Sequence, residues 1–276
     1  MQPWNDLTTA EQTLLRRAVY GAGLAGTVQH HGTDLRWAGS PDAPPRSLTR
    51  DEQLALVPRL AAVAADLAGR GLLTVHARQG RYAEPADPAL TGDALHAALA
   101  EPDHWLWDPK RAHGHDLRAA EAADRHWRAD VYPVGSADGL PDWDELSLDQ
   151  QRVLVCADES SGMLTGPFGI WEDLPTELTG ADRTAWVERQ LAPLVPFVRD
   201  GWIEVQHHAA ERGDAFTVVP LDRLADAFAD PALRHDDGDD WGVGLTCTFT
   251  YRGIAVWRAG WSSAWGRRLR FEQPSD

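Results

Sequence analysis

The chain has 276 residues, 43% of them hydrophobic and 25% charged, which supplies an ordinary core for one or two soluble domains. Its 42 acids against 26 Lys and Arg give a net charge of −16, which opposes nonspecific attraction to nucleic-acid phosphates and favours a cationic partner. The two cysteines make neither a disulfide framework nor a CxxC metal pair, and no apolar run reaches the ~20 residues of a membrane helix.

The start, MQPWNDLTTAEQ, lacks the basic and apolar regions of a secretory signal, so cytoplasmic residence is expected. Thr8 and Glu11 spell a capping box, which opens the first predicted helix, with Leu7 placed to staple its entry. A long amphipathic helix follows within Leu48 to Val75, where Val57, Leu60, Ala64 and Leu67 form one apolar stripe. It runs through Gly71 into a strand at Leu72–Val75, and Gln79-Gly80 before Tyr82 predicts a short hairpin. Asp93 to Pro102 reads as a short helix ended by proline, and His113 to Asp116 as a solvated loop.

The same order then recurs. Trp143-Asp-Glu-Leu-Ser matches Trp4-Asn-Asp-Leu-Thr at an offset of 139 positions, with Ser147 and Gln150 as its capping box. Leu178 to Val205 matches Leu48 to Val75 at an offset of 130, although Pro193 and Pro196 should bend or break its helix. A turn near Arg212-Gly213 leads to a hairpin strand at Phe216–Val219. Asp222 to Pro231 matches Asp93 to Pro102 at 129, and Trp257-Arg-Ala matches Trp127-Arg-Ala at 130. The expected organisation is repeat 1 over 1–135, a linker over 136–142 and repeat 2 over 143–271. The paired tryptophans are expected to pack the copies together. Cys156 falls on a predicted helix. Cys247 alternates with Leu245, Phe249 and Tyr251 along a strand face, which makes it a core residue.

Helix, short connection, long helix, Gly-apolar strand and hairpin together resemble a winged helix. The pattern is similar to that of small winged-helix-like proteins of high-GC bacteria, in which a Leu-Thr-x-x-Glu start and a Gly-Leu helix end recur, here Leu7-Thr8 with Glu11 and Gly71-Leu72. The resemblance implies an α+β fold: two tandem winged-helix-like domains from an internal duplication, each with about three helices and a small antiparallel sheet. A DNA-reading helix would carry basic side chains toward the groove. Here Arg50, Arg59 and Arg70 are balanced by Asp51, Glu52 and Asp66, and Arg183, Arg189 and Arg199 by Asp182, Glu188 and Asp200. These helices read as packing elements.

Candidate chemistry is sparse. His113, His115 and Asp116 have the residue types of a zinc or nickel site but no second ligand pair at a recognisable spacing; His30-His31 and His207-His208 are further histidine pairs. Asp236, Asp237, Asp239 and Asp240 lack the closing Glu of a calcium loop and read as an exposed acidic loop. Glycine-rich nucleotide motifs are absent, and Ser160-Ser161 lacks a nucleophile elbow. Of 13 tryptophans, Trp105, Trp107, Trp261 and Trp265 have no repeat partner; Trp261 and Trp265 are candidate partner anchors. Arg252, Arg258, Arg267, Arg268 and Arg270 make the one basic strip, fit for an acidic surface, DNA, or the 236–240 loop.

The functional expectation is a non-enzymatic, acidic binding protein of the immunity or inhibitor type, with a basic protein as partner and no cofactor or membrane. The competing readings are a winged-helix DNA-binding regulator using 252–270, and a metal-dependent enzyme using His113, His115 and Asp116.

Overall fold

The computed structural model describes residues 1–41, 43–79, 88–108, 113–131, 138–158, 164, 175, 177–208, 215–230 and 244–262, with the backbone alone at Gln79 and His113. The chain is a mixed α+β protein that divides into two compact units, Met1–Val131 and Tyr132–Asp276.

In the first unit α1 (Thr9–Val19) begins at a complete capping box. Glu11 N–H donates to Thr8 Oγ1 at 3.3 Å, and Thr8 N–H donates to Glu11 Oε2 at 2.9 Å. After α2 (Thr27–Trp37), α3 (Arg50–Gly69) begins in the same way at Thr49 and Glu52 and runs unbroken past Pro58. Its end explains the Gly-Leu signature. Gly71 takes a left-handed φ of 68°, its N–H bonds Ala68 O, and Leu72 N–H bonds Leu67 O, the paired bonds of a Schellman stop. The chain then enters β1 (Leu73–Gln79), followed by α4 (Gly92–Ala100), β2 (His113–Ala119) and α5 (Glu121–Trp127).

β1 and β2 pair antiparallel from Leu73↔Ala119 to Gln79↔His113. This corrects the sequence reading of His113–Asp116 as a solvated loop. The segment is a strand whose Asp116 is only 4% exposed. Within it Leu117 is the one large apolar side chain facing the core, joined only by Ala119 at the strand's end, so the alternation that marks a strand is missing from the sequence. The hairpin expected at Gly80–Tyr82 lies outside the described residues.

The second unit opens at Ser147, where Gln150 N–H donates to Ser147 Oγ at 3.2 Å and Ser147 N–H donates to Gln150 Oε1 at 3.0 Å. Its elements are α6 (Leu148–Asp158), α7 (Gly180–Leu191), α8 (Val195–Arg199), β3 (Ile203–His208), β4 (Thr217–Val218), α9 (Leu224–Ala229), β5 (Gly244–Phe249) and α10 (Tyr251–Val256). A π-helical turn, Trp257–Trp261, continues α10. The helix matching α3 is divided into α7 and α8 around Pro193, with Pro196 in the first turn of α8, where its missing N–H costs no helix bond. β3 is the centre of a sheet ordered β4-β3-β5, both neighbours antiparallel to it. The strand carrying Cys247 ends at Phe249, so Tyr251 does not continue its face; Thr250 instead caps α10 by accepting Gly253 N–H at 3.1 Å.

Matched geometry accompanies matched sequence. The β3–β5 register starts at Ile203↔Phe249, each member 130 positions beyond Leu73↔Ala119. Gly201 has φ 69°, and Trp202 N–H bonds Phe197 O. Thr250 N–H reaches Trp202 O at 3.0 Å, as Ala120 N–H reaches Leu72 O at 3.0 Å. Gln12 Nε2 donates to Trp4 O at 2.9 Å, and Gln151 Nε2 to Trp143 O at 2.9 Å. Trp4 meets Trp127 edge to face at 6.4 Å, and Trp143 meets Trp257 at 5.8 Å. Each tryptophan pair lies in the core of its own unit.

One equivalent position differs in kind. Ala123 in α5 is 1% exposed, while its counterpart in α10 is Gly253, where a Cβ would overlap the Trp202 carbonyl. Gly253→Ala should destabilise the second unit by about 1–3 kcal/mol through overpacking. Urea unfolding followed by tryptophan fluorescence reads this; an unchanged midpoint contradicts the close approach.

Candidate functional site

Two groups of polar side chains come together within the first unit. In the first, α1 supplies Thr13 and Arg16, and α2 supplies His31 and Asp34; each pair is spaced three residues apart and so lies on one helical face. Exposure is 7% or less for all four. Arg16 Nη1 bonds Asp34 Oδ2 at 2.8 Å, its Nε donates to Val131 O at 3.1 Å, and its guanidinium lies 5.6 Å from the Trp4 ring centre. Thr13 Oγ1 is 2.5 Å from the same Asp34 oxygen and 3.2 Å from His31 Nδ1.

The donor inventory assigns the roles. The threonine proton goes to the carboxylate, so His31 donates its Nδ1–H to Thr13 Oγ1 and keeps Nε2 as a bare lone pair. That agrees with Nε2 being buried without a hydrogen-bond partner. A threonine, histidine and aspartate in contact suggest nucleophilic catalysis, but the wiring is wrong for it. The histidine does not stand between hydroxyl and carboxylate, its near nitrogen is already protonated, and the group is sealed from solvent. The network instead fixes how α1 sits on α2.

The second group surrounds β2. Asp116 Oδ1 is 3.5 Å from Arg78 Nε on β1, and Asp116 faces His76 across the ladder. His76, 7% exposed, lies 2.9 Å through Nε2 from Thr74 Oγ1. The segment 22–24 covers the outer edge of β2: Leu24 N–H bonds His115 O at 2.6 Å and Leu117 N–H bonds Ala22 O at 3.0 Å. Arg17 secures that segment through Gly23 O at 3.0 Å. The His115 ring packs against His104 at 4.2 Å with a tilt of 52°, and His104 Nδ1 must carry a proton to donate to Ala98 O at 2.8 Å. Burial, with a smaller contribution from His104, lowers the His115 pKa to about 4.

The metal candidates are therefore only partly assembled. His115 and Asp116 are adjacent on a strand and point to opposite faces, Asp116 is engaged by Arg78, and the His113 side chain lies outside the described residues. Among the described residues no three His, Cys, Asp or Glu side chains are arranged to hold a metal ion. His30 is exposed and His31 buried, so that pair divides between solvent and core.

The other expected positions are distributed as follows. Arg252 and Arg258 are exposed on α10 and the π-helical turn. Trp261 is 1% exposed, packs on Phe197 and Trp202 at 6.4 and 5.7 Å, and donates Nε1–H to Pro141 O at 2.9 Å. It is a core residue and not an exposed partner anchor. Its neighbours come from α8, from the residue before β3 and from the chain ahead of α6, which spacing along the chain does not reveal. Asp236, Asp237, Asp239, Asp240, Trp265, Arg267, Arg268 and Arg270 lie outside the described residues. Sequence reasoning missed the Thr13–Arg16–His31–Asp34 network; its one visible trace is Arg16 directly after Leu14-Leu15 in the apolar run of α1. No protein family, curated protein or solved structure matches the chain.

Asp34→Ala would strand the Arg16 charge in the core and should cost the first unit about 3–5 kcal/mol, measured as a lower urea midpoint. The pH dependence has a fixed sign. Burial foremost, and Arg59 next, lowers the His31 pKa to about 4 from an ordinary 6.5. Below pH ~6.5 the unfolded chain takes up a proton that the folded one refuses, so stability falls until about pH 4 and then levels. His31→Gln should remove part of that slope between pH ~6.5 and about 4, the remainder being shared by His30, His115, His207 and His208, whose pKa values burial also lowers. An unaltered slope would contradict a neutral buried His31.

Proposed function

We propose that this chain is a non-enzymatic, acidic binding protein of the immunity or inhibitor kind, whose partner is a basic protein. The net charge of −16 carries the reading. It is expressed on the surface: Asp142, Asp144, Glu145, Asp149 and Asp158, along the entry and body of α6, are all exposed, and the exposed Leu148 sits among them. Arg152 offsets Asp149 at 3.3 Å, and the net negative field that remains raises the encounter rate with an oppositely charged partner and repels phosphate backbones. The polar clusters of the first unit support the same reading, since each is used to hold elements together rather than to expose a reactive group.

The scaffold is in this reading a tandem pair of winged-helix-like domains from one internal duplication. The shared 130-position register, the twin Schellman stops and the twin tryptophan pairs support it. The wing is an expanded one, its strands parted by α4 in the first unit and by β4 and α9 in the second. Cytoplasmic residence belongs to the same proposal; no helix among the described residues is long and apolar enough to cross a membrane.

A second reading, a DNA-binding regulator, is favoured by one observation. Arg252 and Arg258 are exposed in a segment, 244–262, that contains no acid.

Affinity capture from the parent cells at low salt, followed by association kinetics with the captured basic protein, tests the first reading. Asp144→Asn with Asp149→Asn should slow association by about tenfold or less while leaving dissociation nearly unchanged, and added salt should erase the difference. Association indifferent to salt, or an acidic partner, defeats it. A salt-sensitive mobility shift on duplex DNA that is lost in Arg252→Ala/Arg258→Ala would establish the regulator instead.

A further inference from the structure

Cys156 and Cys247 are the only cysteines of the chain. Although far apart in sequence, they belong to one core cluster of the second unit and are 5% and 2% exposed. α6, which carries Cys156, packs against β5, which carries Cys247. The two side chains are hydrogen-bonded to each other. That bond first, and burial second, push the Cys247 thiol well above its ordinary range, so it stays protonated and donates to the Cys156 sulfur. The equivalent positions of the first unit, at the offsets of 139 and 130, are Arg17 and Leu117. Packing of such a unit therefore does not itself call for sulfur at either place.

We propose that Cys156 and Cys247 are a disulfide-forming pair, the reduced thiols already standing in the contact that a cystine would occupy between α6 and β5. Thiols in hydrogen-bond contact need a movement of about 1–2 Å to reach the ~2.05 Å sulfur–sulfur bond. The oxidant is a small disulfide such as oxidised glutathione. One cysteine thiolate attacks it, forming a mixed disulfide and expelling one glutathione thiolate. The second cysteine thiolate then attacks the protein sulfur of the mixed disulfide, forming the Cys156–Cys247 bond and expelling the other glutathione. The protein sulfurs give up two electrons, and their two protons end on the two glutathione thiols.

Burial sets when this occurs. With both sulfurs covered, exchange proceeds while the unit is open, during folding or transient unfolding, and the closed unit then protects the bond. The ring so formed spans roughly 90 residues and takes in α7, α8, β3, β4 and α9, so it restricts most of the unfolded second unit. The first unit has no cysteine and is untouched. The inference is independent of the proposed partner, since it concerns the interior of one unit.

The full chain, reduced and unfolded in urea, is refolded in a glutathione redox buffer and then trapped by alkylation in denaturant. The expected product is a monomer lighter by two hydrogens, with a non-reduced peptide map joining Cys156 to Cys247 and an unchanged near-ultraviolet circular dichroism spectrum. Its thermal midpoint should rise by several degrees and fall back on reduction. Cys156→Ser should refold without the cross-link or the reducible rise. Two alkylatable thiols after refolding, glutathione adducts on the separate cysteines, disulfide-linked dimers, or a cross-linked chain with a lost near-ultraviolet spectrum would each overturn the proposal.

Discussion

The antiparallel pairing of two strands distant in sequence is the contact on which each unit depends. β1 meets β2, and β3 meets β5, only after a helix and further chain have intervened. Such a closure costs loop entropy before it returns any contact, so it has to be rewarded on both faces of the ladder. Val75 and Leu117, both 0% exposed, anchor the inner face in the first unit, as Val205 and Cys247 do in the second. Each pair closes at the helix stop: the N–H of Ala120 or Thr250 bonds the carbonyl of the residue that follows the left-handed glycine. Helix end, strand start and strand return are thus tied at a single peptide.

The two units solve the remaining packing differently. The first buries charge, with Arg16 held by Asp34 beneath Trp4 and Asp116 buried beneath the 22–24 segment, where the partly exposed Arg78 reaches it. Buried ion pairs contribute little net stability, but removing one partner is costly, so they define one arrangement of α1 on α2 and of the covering segment on β2. The second unit places Val155 where the first has Arg16, and Cys156 where it has Arg17. Its core is correspondingly richer in aromatic contact, with Phe197, Trp202 and Trp261 in mutual contact. Strand pairings of matching register thus sit over a polar interior in one unit and an aromatic, sulfur-bearing interior in the other.

Local chemistry was legible in the sequence, and long-range partnership was not. Thr8 with Glu11 and Ser147 with Gln150 declare helix starts because a capping box is complete within four residues. Gly71 and Gly201 declare stops because only glycine takes that φ cheaply. The break around Pro193 follows equally from one residue type. β2 escaped because Gly114, His115, Asp116 and Arg118 offer no apolar alternation; Asp116 and His115 meet Arg78 and His104, and the strand's main chain bonds the 22–24 backbone, partners which the sequence cannot place beside it. Trp261 was misread for the same reason. A tryptophan beside arginines looks like an anchor until Phe197, Trp202 and the Pro141 carbonyl are found around it. The Cys156–Cys247 contact joins a helix to a strand across roughly 90 residues, a separation at which residue spacing carries no signal.

The edge-to-face tryptophan pairs have a spectroscopic consequence. Two indoles held at 6.4 Å in one unit and 5.8 Å in the other, each at a steep mutual angle, couple their electronic transitions. Each pair joins the N-terminal segment of its unit to the helix that closes it, Trp4 with Trp127 and Trp143 with Trp257. The coupled circular-dichroism band of such a pair exists only while the two ends of the unit are together. The first unit therefore carries, without any label, an optical gauge of its own end-to-end closure, while in the second the Trp202–Trp261 contact at 5.7 Å adds a further coupled pair.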